Sequence, residues 1–298
     1  MQYSRTTSFI ICFFVYAIAF TVAYAFVFFY NGSLSKLWLA LIADVMATLV
    51  VYSFSVIFKN ASLYDPYWSV VPPLLIWYWW KPGEKNLVQE IAWWVILLWA
   101  IRLTLNWARG WQGLKHEDWR YVMLRQKNPK LYWLTNLAGI HLFPTLMVFA
   151  GMVPAYIICN SSTDFIAAKG PDTYQNEPLI LLGFAICIIA TLLELVADEQ
   201  MRRFKKTAKP GEFIDSGVWK YSRHPNYFGE ILFWFGLWVL QMSIELDYWY
   251  TSIGFVAMLC MFLLASIPMM EKKNLRSKPG YREYLKTVSV LLPWFREE

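Results

Sequence analysis

Charge is scarce in this chain: Asp, Glu, Lys and Arg make up 16% of its 298 residues, against roughly 25% in soluble domains. Histidine is scarcer. His116, His141 and His224 stand far apart, with no companion at metal-ligand spacing, so no metal motif can be read. The four cysteines (Cys12, Cys159, Cys187, Cys260) are scattered through apolar stretches without CxxC pairs, which excludes a disulfide framework and a thiolate metal site. Neither GxGxxG nor GxxxxGK[ST] occurs, so a Rossmann unit and a P-loop are both excluded. No Gly-, Ser- or Pro-rich linker, internal repeat or low-complexity tract divides the chain, and residues 1–298 read as a single integral membrane domain. The first apolar run lacks a small-residue cleavage site after it, which predicts a retained helix and not a signal peptide.

What is present is apolar surface. Hydrophobic residues form 58% of the chain and the mean hydropathy is +0.37. Apolar segments run near 8–30, 37–58, 67–80, 89–108, 137–158, 178–198, 227–244 and 249–270. Most are long enough for a helix to cross about 30 Å of hydrocarbon, which takes roughly 20 residues. The pattern predicts an all-α polytopic bundle of about eight crossings, with 67–80 the shortest of them. Most of the 17 Trp and 18 Tyr lie near segment ends, where interfacial belts form.

Lys and Arg are distributed unevenly. The segments 109–132, 199–226 and 271–298 hold 20 of the 27, whereas 159–177 and 245–249 hold only Lys169, beside Asp164, Asp172, Glu177, Glu245 and Asp247. The positive-inside rule places the three basic segments and both termini in the cytoplasm, at the inner membrane if the source is bacterial. This asymmetry and anionic lipid account for the net charge of +6, so nucleic acid is not an expected partner.

Polar residues interrupt the apolar helices at helical spacing. Glu194, Asp198, Arg202 and Lys205 share one face, with Glu194 set among Leu192, Leu193, Leu195 and Val196. An ion pair between Asp198 and Arg202 is one account of the outer part; Glu194 needs a buried partner or a ligand. Arg102, Asn106 and Arg109 form a second stripe, and Glu194 or Asp198 would serve as partner to Arg102. Asn226 and Glu230 open the 227–244 segment four apart, behind Pro225 in the first turn. With Tyr221, Arg223 and His224 beside them, these groups describe a cytoplasmic cup for a polar, anionic, cytosolic ligand. Interhelical glue without a ligand is the competing reading. A dinucleotide and S-adenosylmethionine both satisfy the cup.

The run Ser222-Arg223-His224-Pro225-Asn226-Tyr227-Phe228-Gly229-Glu230 resembles the signature of the membrane steroid 5-alpha-reductase superfamily, and most of all its bacterial branch of largely uncharacterised members carrying SRHPNYFGE. "ELVADEQMRRFK" before it and "IPMMEKKNLRSKPGYREYLKTVSVLLPW" after it extend the resemblance over about 190–298. The isoprenylcysteine methyltransferases share the Arg-His-Pro run but usually not the Asn and the acidic residue. Asn226 and Glu230 therefore tilt the resemblance toward NADPH.

The resemblance implies a seven-helix reductase-like core plus one N-terminal helix, with substrate-side helices in 1–110 and cofactor-binding helices and loops in 111–298. It implies a cofactor pocket lined by Asp198, Arg202, Asn226, Tyr227 and Glu230, with Arg223, His224, Glu271, Tyr281 and Tyr284 in the matching tail. "YDPYWSVVPP" is similar to the steroid reductase segment carrying an acidic residue seven positions before a Val-Pro, and Asp65 fills that position before Pro72. Trp99 aligns where the steroid enzymes place a carbonyl-polarising Tyr, which leaves the donor role to Tyr64 or Tyr67. Asp65 also reads as a helix N-cap ahead of Pro66. The expected activity is NADPH-dependent reduction of a C=C bond in a lipophilic enone, a steroid or another lipid drawn from the bilayer. An S-adenosylmethionine-dependent methyltransferase and a non-enzymatic lipid-binding protein are the alternatives.

Overall fold

A computed structural model of the chain describes residues 3–80, 87–160 and 177–295. Lys169, Asp164 and Asp172 of the charge count lie outside them. The described residues are helical and contain no strand. In chain order the helices are α1 (Arg5–Phe29), α2 (Lys36–Ile57), α3 (Tyr67–Trp79), α4 (Leu87–Gly110), α5 (Trp119–Lys127), α6 (Pro129–Asn160), α7 (Glu177–Thr207), α8 (Pro225–Met242), α9 (Leu246–Ser277) and α10 (Tyr281–Thr287). Among the described residues, six of these (α1, α2, α4, α6, α7 and α9) are long and apolar enough to cross a membrane.

The chain is thus a polytopic helical membrane protein, but two of the eight expected crossings fall short. The segment 67–80 forms α3, 13 residues with Pro72 and Pro73 inside, about 20 Å of helix. The segment 227–244 forms α8, whose 18 residues include the polar Asn226, Glu230 and Gln241. Two helices widen into π-helical turns, Thr135–Leu142 in α6 and Phe262–Ser266 in α9. Each widened stretch ends two residues before a proline, Pro144 or Pro268, which cannot donate to the carbonyl four residues back.

The described residues cluster into two compact units. One comprises 1–82 with 99–152, the other 83–98 with 153–298.

In the first unit α1 packs along α2 and its N-terminal end ties down the loop after α4. Ser4 caps α1 by accepting the Thr7 N–H. The Arg5 guanidinium donates to the carbonyls of Ala108, Arg109 and Trp111 at 2.8–3.2 Å, satisfying the end of α4. Ser8 Oγ accepts the Leu114 N–H at 3.0 Å, and Gly113, at φ 87°, packs against Ser8 where a Cβ would not fit.

In the second unit α7 and α8 approach backbone to backbone. A Cβ on Gly183 would lie 2.7 Å from Leu240 N, and one on Gly236 would lie 2.8 Å from Cys187 Sγ. Small residues at such a contact let dispersion replace the hydrophobic drive that lipid removes. The same register seats Gly229 on the Glu194 side chain and the Ala190 carbonyl. Leu181, Leu182, Ile189, Leu192 and Leu195, on the rest of α7, are exposed, as lipid-facing side chains are.

Candidate functional site

The first unit carries its polar groups on a turn between α2 and α3. Lys59 takes the left-handed conformation at φ 54°, and the Asn60 side chain accepts the Ser62 N–H, closing one 3-10 turn, Ala61–Leu63. Neighbouring chain then bolts the turn in place. Asn60 Nδ2 donates to the Leu114 and His116 carbonyls, Glu117 accepts the Ala61 N–H, and the Asp118 N–H donates to Ser62 Oγ. Asp118 itself caps α5 through the Arg120 N–H and pairs with the Arg120 guanidinium at 2.8 Å.

This framework presents Asp65 to Tyr121. The Tyr121 hydroxyl donates to Asp65 Oδ1 at 2.6 Å. Burial pushes the Asp65 carboxyl up to about 6, against the pull of the Arg120 charge and the Tyr121 hydrogen bond. The N-cap reading of Asp65 does not hold: α3 begins at Tyr67, Pro66 stands at the cap position, and no side chain caps the helix.

Tyr64 is buried, and its hydroxyl lies 2.7 Å from Thr145 Oγ1. Thr145 donates its own proton to the His141 carbonyl at 2.9 Å. A hydroxyl has one proton, so Tyr64 and Thr48, 2.9 Å away, both donate to Thr145. The Tyr64 proton is therefore committed within the fold. Tyr67 is committed likewise, donating to Asp44 Oδ1 at 2.7 Å. Asp44, 6% exposed in the middle of α2, is a residue that the sequence reading passed over. Its signal was available, since an ionisable group inside a membrane helix marks a functional position by default. His141, within α6, carried the same signal, whereas Thr145 gave none.

Of the residues expected to bind cofactor, Arg102 and Asn106 lie on α4 in the first unit, Arg102 buried and Asn106 half-buried. The others belong to the second unit. Glu194 and Glu230 are 2% and 4% exposed, and Gly229 on α8 packs against Glu194. Glu230 Oε1 accepts the Trp234 indole N–H one turn on, at 2.9 Å. His224, Tyr227 and Phe262 form a stack, with centroids 5.3 and 4.6 Å apart, at the start of α8 where Asn226 lies half-buried.

Arg223 does structural work here. Its Nε donates to Glu271 Oε1 at 2.8 Å and its Nη1 donates to the Leu285 and Val288 carbonyls, while His224 Nε2 lies 3.2 Å from the same Glu271 oxygen. Tyr284 donates to the Trp219 carbonyl, and Tyr281 and Tyr284 pack on Phe213. Tyr221 is exposed, and its carbonyl accepts the Trp294 N–H. Arg223, His224, Tyr227 and Glu271 are thus joined directly.

The expected ion pair between Asp198 and Arg202 is not the one formed. Arg202 makes a two-pronged contact with Glu199 at 2.6 and 2.8 Å, and Arg203 shares that carboxylate. Lys205 is exposed. Among the described residues no group of three His, Cys, Asp or Glu could hold a metal ion.

No solved structure matches the chain. It is 27% identical to the uncharacterized protein C594.04c of Schizosaccharomyces pombe over 271 residues, 82% of this chain and 76% of that one. It is 31% identical to the 3-oxo-5-alpha-steroid 4-dehydrogenase 1 of Bos taurus and 29% identical to that of Homo sapiens. Each match runs over 75 residues, 25% of this chain and 29% of the relative, so the chain matches less than a third of either enzyme. These similarities support a steroid reductase-like superfamily. Residues 51–288 match the model of DUF1295, a protein family of unknown function, and the chain belongs to that family.

Proposed function

We propose that the chain is an NADPH-dependent reductase of a carbon–carbon double bond conjugated to a carbonyl, in a lipid drawn from the bilayer. The observation that carries this reading is the pair of buried carboxylates on two packed helices, Glu230 on α8 and Glu194 on α7, the latter against Gly229 of α8. Similarity to the steroid dehydrogenases supports it. The donor set fits a nicotinamide dinucleotide. Buried carboxylates accept hydrogen bonds from ribose hydroxyls or a carboxamide, and Arg202, Arg203 and Lys205, half-buried to exposed, suit phosphates. In this reading Asn226 and Glu230 hold the nicotinamide end, Asp198 and Arg202 the ribose and phosphates. Arg223 and Tyr284, whose protons are given to protein groups, hold the tail of the chain against α8.

When bound, NADPH supplies the hydride that reaches the beta carbon of the enone. Negative charge then develops on the carbonyl oxygen, and the alpha carbon takes a proton. Among the first unit's residues, Asp65 is suited to carry a proton: its carboxyl is pushed up to about 6 by burial, and Tyr121 orients it. The cofactor residues and both termini face the cytoplasm, where NADPH is made. The test is the small molecule released when the purified protein is denatured. NADP is expected; S-adenosylhomocysteine would indicate a methyltransferase, and lipid alone a binding protein, and either would overturn the reading.

A further inference from the structure

His141 and Asn136 lie five residues apart, one wide turn, on the π-helical stretch of α6. Both are buried, at 0% and 4% exposure. His141 Nδ1 is 2.9 Å from the Asn136 carbonyl, which can only accept, so Nδ1 carries the proton and Nε2 is a bare acceptor. Among the described residues no donor reaches Nε2, and none reaches Asn136 Oδ1.

The hydroxyls nearby have no proton to offer. Tyr64 and Thr48 donate to Thr145, and Thr145 donates to the His141 carbonyl. Ser55 donates to the Tyr52 carbonyl and accepts from Asn136 Nδ2, while Tyr52 donates to the Trp133 carbonyl. Two acceptors are left inside a membrane helix bundle, where an unmet polar atom is costly because no bulk water reaches it. A group that completes either of them must be a donor, so a ketone or ester oxygen does not qualify, and a hydroxyl with its single proton serves one of the two at a time. The half-buried Tyr52 ring stands edge-on to His141, 5.4 Å between centroids, and is the partly exposed side chain against it.

We propose that His141 and Asn136 form a binding site for the hydroxyl end of a membrane lipid, which enters past Tyr52. This goes beyond the reductase reading and does not depend on the cofactor. The lipid is bound as a hydrogen-bond donor, whatever is done to the rest of it.

The experiment uses the full chain in lipid nanodiscs without NADPH. The probes are a diazirine-bearing long-chain primary alcohol and its methyl ether, which matches it in length but lacks the donor. Photolabelling of α2 and α6 peptides is read by mass spectrometry. The alcohol is expected to label roughly tenfold more than the ether, the factor equivalent to one buried hydrogen bond. His141→Phe keeps a flat ring without the acceptor, and the ratio should fall to about one while labelling by the ether persists. Asn136→Leu should lower the ratio part of the way, and it serves as the second variant where His141→Phe folds poorly. A ratio near one in the unmodified chain overturns the proposal, as does absence of label from both helices or a ratio that neither variant changes. None of these results bears on whether NADP is released from the denatured protein, so the two readings fail separately.

Discussion

The hydroxyl of Tyr121 donates its proton to the carboxylate of Asp65 across 2.6 Å, joining the turn before α3 to the first helical turns of α5. Their 56-residue separation makes this a contact that the fold creates and that no local pattern announces.

Replacing Asp65 separates proton carriage from placement. Asp65→Asn keeps an oxygen that can accept from Tyr121 but cannot hold a proton. NADPH affinity is expected to stay within a few-fold, while turnover of an enone lipid falls by about two to four orders of magnitude, the typical contribution of a general acid. A matching loss of affinity would assign Asp65 to the cofactor or to folding.

The same residue has a signature in stability. Its carboxyl titrates at about 6 in the fold against an ordinary 3.8, so the folded chain binds the proton more tightly than the unfolded chain does. Its contribution favours the fold most at acid pH and is lost as pH rises from about 4 through 6. Thermal melts of the unmodified chain and Asp65→Asn should show the variant gaining relative to its parent between pH 4 and pH 7. A pH-independent difference would contradict the raised value.

Asn226→Ala and Glu230→Ala are each expected to weaken NADPH binding about tenfold or more, equivalent to some 1.4 kcal/mol. Calorimetry on detergent-purified protein with an unchanged elution profile measures this. Unaltered affinity in both variants would make the pair part of the packing alone.

Arg223→Ala tests the opposite role. Removing the guanidinium leaves Glu271 with His224 alone and frees the Leu285 and Val288 carbonyls, and losing charge-assisted bonds at a partly buried site costs about 1–3 kcal/mol. The melting temperature should drop and limited proteolysis should reach the segment 278–295. An unchanged melt with weakened NADPH binding would instead show that Arg223 serves the cofactor.

Gly236→Ala places a methyl group 2.8 Å from Cys187 Sγ and 3.0 Å from its backbone nitrogen, and the backbone cannot yield as a side chain would. About 1–3 kcal/mol of stability should be lost, as for other overpacked contacts, and a thermal melt reads it. A melt equal to the parent's would mean that α7 and α8 separate without cost.

Helical spacing sufficed to place Glu194 on α7 and to set Asn226 and Glu230 on one face of α8, because a period of 3.6 is written locally. It could not choose between partners. Arg202 lies four residues from Asp198 and three from Glu199, and both distances put side chains in reach. Side-chain direction made the choice. The turn holding Asp65 was readable as a turn but not as a platform for Tyr121, since Lys59 at positive φ and the Asn60 bonds to Leu114 and His116 decide where the carboxylate points. The hydroxyl chain Tyr64–Thr145–Thr48 joins residues 81 and 97 positions apart, each unremarkable among apolar neighbours. Hydropathy predicted about eight crossings; among the described residues six helices qualify, since α3 has only 13 residues and polar residues dilute α8.

The bonds from Arg5 and Ser8 to the loop after α4 also set an order of assembly. Arg5 meets Trp111 and Ser8 meets Leu114, each across 106 positions. As the chain is synthesised, α1 emerges before α4, and it cannot complete these contacts until three further helices have followed it. Closure over such a distance has to await the whole intervening stretch. The loop that supports Asp65 is therefore secured late, by a segment made long before it.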